Sequence, residues 1–124
     1  MQARIAFVGN VADTRSEYAA ADIFVLPSLF EGYGMAFAEA LSFGLPIVAA
    51  RAGAVPDVVP ESAGILVQPD NSAALTDALQ NLLTTPSLRK QLQTGAQSAA
   101  QTLPSWKTTA NKVAALINTL NTTR

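Results

Sequence analysis

Residues Pro27 to Pro46 read PSLFEGYGMAFAEALSFGLP and overlap the last two residues of ADIFVLPS, which begins at Ala21. Ile23 to Leu26 is a continuous apolar run, the pattern of a strand covered on both faces. A short loop follows, Glu31-Gly32-Tyr33-Gly34. The spacing then predicts a helix from about Gly34 to Phe43, with Gly44 just past its end and Pro46 barring its continuation. Strand, loop, helix and abrupt stop within one short stretch mark a βα unit.

Before this stretch, ARIAFVGN predicts a strand over Ile5 to Val8, broken at Gly9-Asn10. Asp13 to Ala21 reads as a short helix with Tyr18 on its inner face and Asp13 or Thr14 as N-cap. After it, Pro46 to Ala50 reads as the next buried strand. Arg51 to Pro56 is a glycine-containing loop, Asp57 to Val59 at most one helical turn, and Gly64 to Val67 a short strand closed by Pro69-Asp70. Strands alternating with helical segments at short spacing predict an α/β fold with a parallel sheet of about four strands, flanked by helices.

The C-terminal third reads as helical. Leu75, Ala78, Leu79, Leu82 and Leu83 follow helical spacing after Asn71 or Ser72 as cap. Pro86 opens a second helix with Leu88, Leu92, Ala96 and Ala99 on one side. Pro104 opens a third, with Trp106, Thr109 or Ala110, Val113, Leu116, Ile117 and Leu120 at core spacing.

A chain of 124 residues is one domain or part of one. It has no histidine and no cysteine, which excludes His-dependent triads, thiolate chemistry and disulfides within it. A reducing cytoplasm is compatible with that composition. No stretch approaches the roughly 18 uninterrupted apolar residues of a membrane span, and residues 1–20 lack the pattern of a signal peptide. The formal net charge is −1, which gives no footprint for nucleic acid. Its distribution is uneven: all nine acidic residues lie at or before Asp77, and only Arg89, Lys90, Lys107, Lys112 and Arg124 are charged beyond it. That basic segment suits a peripheral contact with the anionic inner face of a membrane or an acidic partner. Its ordinary reading is a solvated helix face with cations near helix C-terminal ends.

In an open parallel sheet, ligands sit beyond the carboxyl ends of the strands. Residues 27–34 lie at such an end and lead into a helix N-terminus, where unpaired N–H groups and the positive dipole end favour an anion. Gly32 and Gly34 remove side chains that would keep a phosphate off the backbone, and Met35 and Ala36 offer first-turn amides. Glu39 lies five residues beyond Gly34, about 7.5 Å along the axis, near the separation of a nucleotide's diphosphate and ribose. A carboxylate accepts two hydrogen bonds side by side, which suits a vicinal diol. Glu31 faces whatever hangs from the far phosphate, a polyhydroxyl sugar being a good candidate. Spacing alone leaves the ordinary alternative open, with one carboxylate a dipole partner and the other an exposed helix residue. The Rossmann G-x-G-x-x-G is incomplete, since Phe37 stands at the third glycine. No P-loop, G-x-S-x-G, D-x-D or metal-ligand cluster occurs.

In order, FVGNV, Tyr18, ADIFVLPS, EGYGMAFAEALSFGLPIV, the loop before PDVV, and GILVQPDN with its Ala/Leu helix resemble the C-terminal domain of retaining GT-B glycosyltransferases, the glycosyl transferases group 1 family. The resemblance covers about residues 4–84 and is carried by the Glu-x7-Glu frame of Glu31 and Glu39. It implies that residues 1–124 are a partial C-terminal nucleotide-sugar-binding domain with an incomplete Rossmann-like sheet. It implies a donor half-site for hexose transfer to a saccharide or lipid acceptor: Glu31 on the donor sugar as the catalytic residue, Gly32, Gly34, Met35 and Ala36 at the diphosphate, Glu39 on the ribose, and Gly9, Asn10 and Val11 near the nucleobase. The nucleotide-diphosphate-sugar is substrate, and no metal or other cofactor is implied. The family's Gly-Gly-x-Pro-Glu appears here as Gly53-Ala54-Val55-Pro56-Asp57.

The resemblance also implies an acceptor-binding N-terminal domain and an Arg and a Lys that neutralise the leaving diphosphate. Arg4 and Arg15 do not occupy that motif. The 124-residue polypeptide by itself is therefore expected to be inactive. In the doubly wound order 3-2-1-4-5-6, Ile5 to Val8 matches strand three and the later runs strands four to six. Ile23 to Leu26 is then expected to present an open apolar edge, inviting a homodimer or direct pairing with Ile5 to Val8. The alternative function is a non-catalytic nucleotide-binding or assembly module requiring a partner subunit. A flavodoxin-like signalling domain finds no acidic pocket or phosphate loop at Ile5 to Asn10.

Overall fold

The computed structural model describes residues 4–29, 35–104 and 106–122. In chain order the elements are α1 (Arg15–Ala20), β1 (Phe24–Leu26), α2 (Met35–Ser42), β2 (Ile47–Ala50), α3 (Val55–Val58), β3 (Gly64–Val67), α4 (Ser72–Thr84), α5 (Pro86–Thr102) and α6 (Trp106–Thr122). The three strands form one sheet in the order β1-β2-β3, both pairs parallel. Phe24 stands opposite Ile47, and Ile47 opposite Gly64.

The sheet has three strands among the described residues, against the four expected. Ile5 to Val8 joins no ladder and is exposed, Phe7 at 95%. A strand owes its hydrogen bonds to a neighbour, and no described segment offers Ile5 to Val8 one; its direct pairing with β1 does not form. The outer edge of β1 has no ladder partner among the described residues, in line with the expected open edge. β1 is covered on one face, not the two expected: Phe24 and Leu26 pack half-buried against the α2-side core while Val25 is exposed.

β2 is central and wholly buried. Successive side chains of a strand point to opposite faces, so β2 divides the core in two. Ile47 and Ala49 pack with Phe37, Ala40 and Leu41 of α2, Val55 and Val58 of α3, and Ala96 of α5. Val48 packs on the other face with Ala78 and Leu82 of α4 and Leu92 of α5.

Local chemistry sets the boundaries. At the end of α2, Leu45 N–H donates to Ala40 O at 3.1 Å and Gly44 N–H to Leu41 O at 2.9 Å. This is a Schellman motif, which needs a left-handed residue; Gly44 supplies it at φ 70°. Asn71 caps α4, its Oδ1 accepting from Ala74 N–H at 2.9 Å. Arg89 donates to the carbonyls of Leu82 and Leu83 at 2.6 and 2.9 Å. That cation therefore works at a helix C-terminal end, the ordinary reading of part of the basic segment.

α6 forms as the periodicity predicts, but its apolar stripe is not core. Val113, Leu116, Ile117 and Leu120 are 50 to 65% exposed. Helical spacing determines which residues share a face and carries no information on what covers that face. No helix among the described residues is long and apolar enough to cross a membrane.

Candidate functional site

Of the residues singled out above, Glu31, Gly32 and Gly34 lie outside the described residues. Met35 and Ala36 are the first two residues of α2, where backbone N–H groups have no acceptor within the helix. Met35 is exposed and Ala36 half-buried. Glu39 follows one turn later. Burying Phe37, Ala40 and Leu41 against the sheet leaves Glu39 on the exposed side of the helix.

Glu39 lines a cavity of about 370 Å3 between α1 and α2, together with Ala12 to Arg15, Tyr18, Ser42 and Phe43. Gly9, Asn10 and Val11 are exposed and immediately precede this wall without lining it. Gly9 sits at φ 75° with open space where a Cβ would stand. Its glycine meets a backbone requirement, not a close approach.

The polar side chains of the cavity have distinct partners. Asp13 accepts from the Arg15 backbone N–H at 3.0 Å and from its guanidinium at 2.7 to 3.1 Å. The Arg15 hydrogen bonds hold the Asp13 carboxyl down at about 2. Asp13 thus opens α1 although the position before the helix is Thr14, whose side chain makes no cap bond. Ser42 Oγ donates to the backbone carbonyl of Glu39 at 2.6 Å. The Tyr18 side chain lines this cavity together with that of Glu39. Burial first, and then the hydrogen-bonding and negative charge of the nearby Glu39 carboxylate, push the Tyr18 phenol above its ordinary value.

A chain of rings fixes Tyr18. It stacks on Phe43 at 5.5 Å between centroids and 13° between planes, and lies 5.7 Å from Phe24. Phe24 in turn meets Phe37 edge-on at 5.8 Å. α1 contains no buried residue, so this aromatic contact is its chief tie to the sheet. The sequence showed Tyr18 as inward-facing and did not connect it with Glu39. The available signal was that a buried tyrosine hydroxyl needs a polar partner.

Further concavities lie elsewhere. One, about 650 Å3, runs between α3 and α5, and Asp57 is its only ionisable lining residue among the described residues. Another, about 290 Å3, opens at the carboxyl ends of the strands beside Pro27, Ala50, Gln68 and Asp70. Neither contains Glu39.

The family model for glycosyl transferases group 1 matches residues 1–85. The chain belongs to that family. It corresponds to the C-terminal part of a GT-B glycosyltransferase. This group 1 glycosyltransferase chain is similar to the D-inositol 3-phosphate glycosyltransferase of Corynebacterium glutamicum, 38% identical over 102 residues, or 82% of this chain and 24% of that protein. The structure of sucrose-phosphate synthase from Thermosynechococcus elongatus superposes with a TM-score of 0.88 at 31% identity, over 98% of this chain and 31% of that one. Anabaena HepE in complex with UDP gives 0.87 at 26% identity, over 95% and 33%. HepE in complex with UDP-glucose superposes over 94% of this chain at a TM-score of 0.85. The group 1 chain therefore spans about a third of these two solved relatives and about a quarter of the curated one.

Proposed function

We propose that the chain supplies the donor-binding half of a retaining glycosyltransferase site, taking a nucleotide-diphosphate-sugar whose hexose goes to a saccharide or lipid acceptor. The observation that carries this is Glu39, which opens onto a cavity beside the segment that follows Gly9 to Val11, one turn into the helix that Met35 and Ala36 begin. In this reading Glu39 holds the ribose diol through its two carboxylate oxygens. The first-turn amides of Met35 and Ala36, with Gly32 and Gly34, meet the diphosphate. Gly9, Asn10 and Val11 flank the base, and Glu31 of the Glu-x7-Glu motif contacts the sugar at its reacting end. The protein works in the cytoplasm, and exposed cations of its C-terminal segment meet the inner face of the membrane.

Glu39→Ala is expected to weaken binding of a nucleoside diphosphate by roughly 10- to 100-fold, the worth of hydrogen bonds to a charged group. Isothermal titration against UDP, GDP and ADP measures it, and unchanged affinity for the preferred nucleotide would sink the assignment of Glu39.

The 124-residue polypeptide tested alone is expected to bind donor without transferring sugar. Support for this comes from the share of its solved relatives that it spans, about a third, and from the cations of the leaving-group motif, whose place neither Arg4 nor Arg15 takes. Charge stabilisation at the leaving group is commonly the largest catalytic term. Release of nucleoside diphosphate by the purified polypeptide in the presence of donor and acceptor would overturn this.

A further inference from the structure

We propose that Tyr18 is the positioning residue for Glu39, its hydroxyl fixing the carboxylate so that the remaining oxygen lone pairs meet the ribose diol. This rests on the ribose reading of Glu39. The geometry that supports it is the shared cavity and the ring stack. Glu39 is an exposed glutamate with three rotatable side-chain bonds, and ordering it costs conformational entropy each time ligand binds. A hydroxyl on a fixed ring in the same cavity, holding the carboxylate before ligand arrives, would remove part of that cost, which is preorganisation.

Tyr18 is suited to the task because its own position is settled. The ring is held between Phe43 of the α2 terminus and Phe24 of β1, so its hydroxyl is referenced to both the helix that carries Glu39 and the sheet. Neighbouring polar groups are turned elsewhere, Arg15 to Asp13 and Ser42 to the backbone carbonyl of Glu39. An ionised carboxylate has about four acceptor sites. One donated bond from Tyr18 leaves enough for the two hydroxyls of a diol.

The test is titration of the chain with UDP, GDP and ADP, each beside its 2′,3′-dideoxy counterpart, for wild type, Tyr18→Phe, Glu39→Ala and the double variant. Tyr18→Phe keeps the stacked ring and removes only the hydroxyl. It is expected to lower affinity for the ribonucleotide threefold to tenfold and leave dideoxynucleotide affinity unchanged. The double variant is expected to bind no more weakly than Glu39→Ala, since Tyr18 acts through Glu39. Equal losses for both nucleotides in Tyr18→Phe, or no loss, overturn the proposal while leaving Glu39 in place. If Glu39→Ala keeps the preference for the ribonucleotide, or if wild type binds none of these nucleotides, the ribose reading fails and the proposal falls with it. A second readout needs no ligand. Tyr33→Phe leaves Tyr18 as the sole tyrosine, and adding Glu39→Gln should lower the pH at which its phenolate absorbance appears. An unchanged titration overturns the pairing.

Discussion

Gly95→Ala is expected to destabilise the fold by about 2 kcal/mol or more, although alanine is the better helix former. The exchange alone should favour the α5 helix by about 1 kcal/mol. Against this, a Cβ at position 95 would stand 1.7 Å from the carbonyl oxygen of Ser62, 2.4 Å from its carbonyl carbon and 3.2 Å from Ala63 N. These are backbone atoms and cannot rotate aside. Nor is the turn that holds them free to retreat. Ala63 N–H donates to Pro60 O at 2.9 Å, and Ala63 O accepts from Ile47 N–H at 3.1 Å, the bond that starts the β2–β3 pairing. Either α5 lifts, loosening Leu92 and Ala96 from the two halves of the core, or the turn moves and strains the ladder. Overpacking of this kind costs about 1 to 3 kcal/mol and sometimes more. Urea unfolding of Gly95→Ala beside Thr94→Ala decides it, the exposed Thr94 change being expected within about 0.5 kcal/mol of wild type. A Gly95→Ala midpoint equal to wild type would show that α5 and the turn do not approach as closely as the structure has them.

Gly95 also shows where reading a sequence stops. Within a helical pattern a glycine looks like a local weakness, and the approach that requires it involves a turn more than thirty positions earlier. The same distinction separates the other outcomes. Apolar runs, Gly44-Leu45-Pro46 and Asn71 are local signals, and β2, β3, the end of α2 and the cap of α4 follow them closely. Ile5 to Val8 has strand composition, yet a strand exists only beside a partner. α6 has a correct period and an uncovered stripe. In the site, helical spacing put Glu39 one turn into α2, where the helix is found. That Tyr18 and Glu39 share a cavity depends on how α1 lies across α2, which composition and spacing do not express. Gly9 to Val11, Glu31, Gly32 and Gly34 rest on the family frame.

Phe37→Ala should be the most damaging single truncation in the core, costing about 3 to 5 kcal/mol. Phe37 is completely buried and heads the fully buried side chains in size. It sits where α2 meets β1 and β2, so removing its ring leaves a cavity bounded by a helix on one side and the sheet on the other. Total stabilities of small domains run from about 5 to 15 kcal/mol, and a loss of this order takes a large share. The local consequence is sharper than the global one. Phe37 meets Phe24, Phe24 meets Tyr18, and Tyr18 meets Phe43 and shares a cavity with Glu39. Truncation at the buried end is therefore expected to release the ring proposed to order the exposed carboxylate. Nucleotide affinity is expected to fall even at low temperature, where the variant is still folded. Phe43→Ala supplies the contrast: that ring is 38% exposed, and its loss should cost stability by only about 1 kcal/mol, the scale of one aromatic pair, while disturbing the same Tyr18. Denaturant midpoints give the stability order, and titration with the preferred nucleoside diphosphate gives the coupling. If Phe37→Ala lowers stability by several kcal/mol and leaves affinity intact in the folded protein, the aromatic chain holds the core together without ordering Glu39.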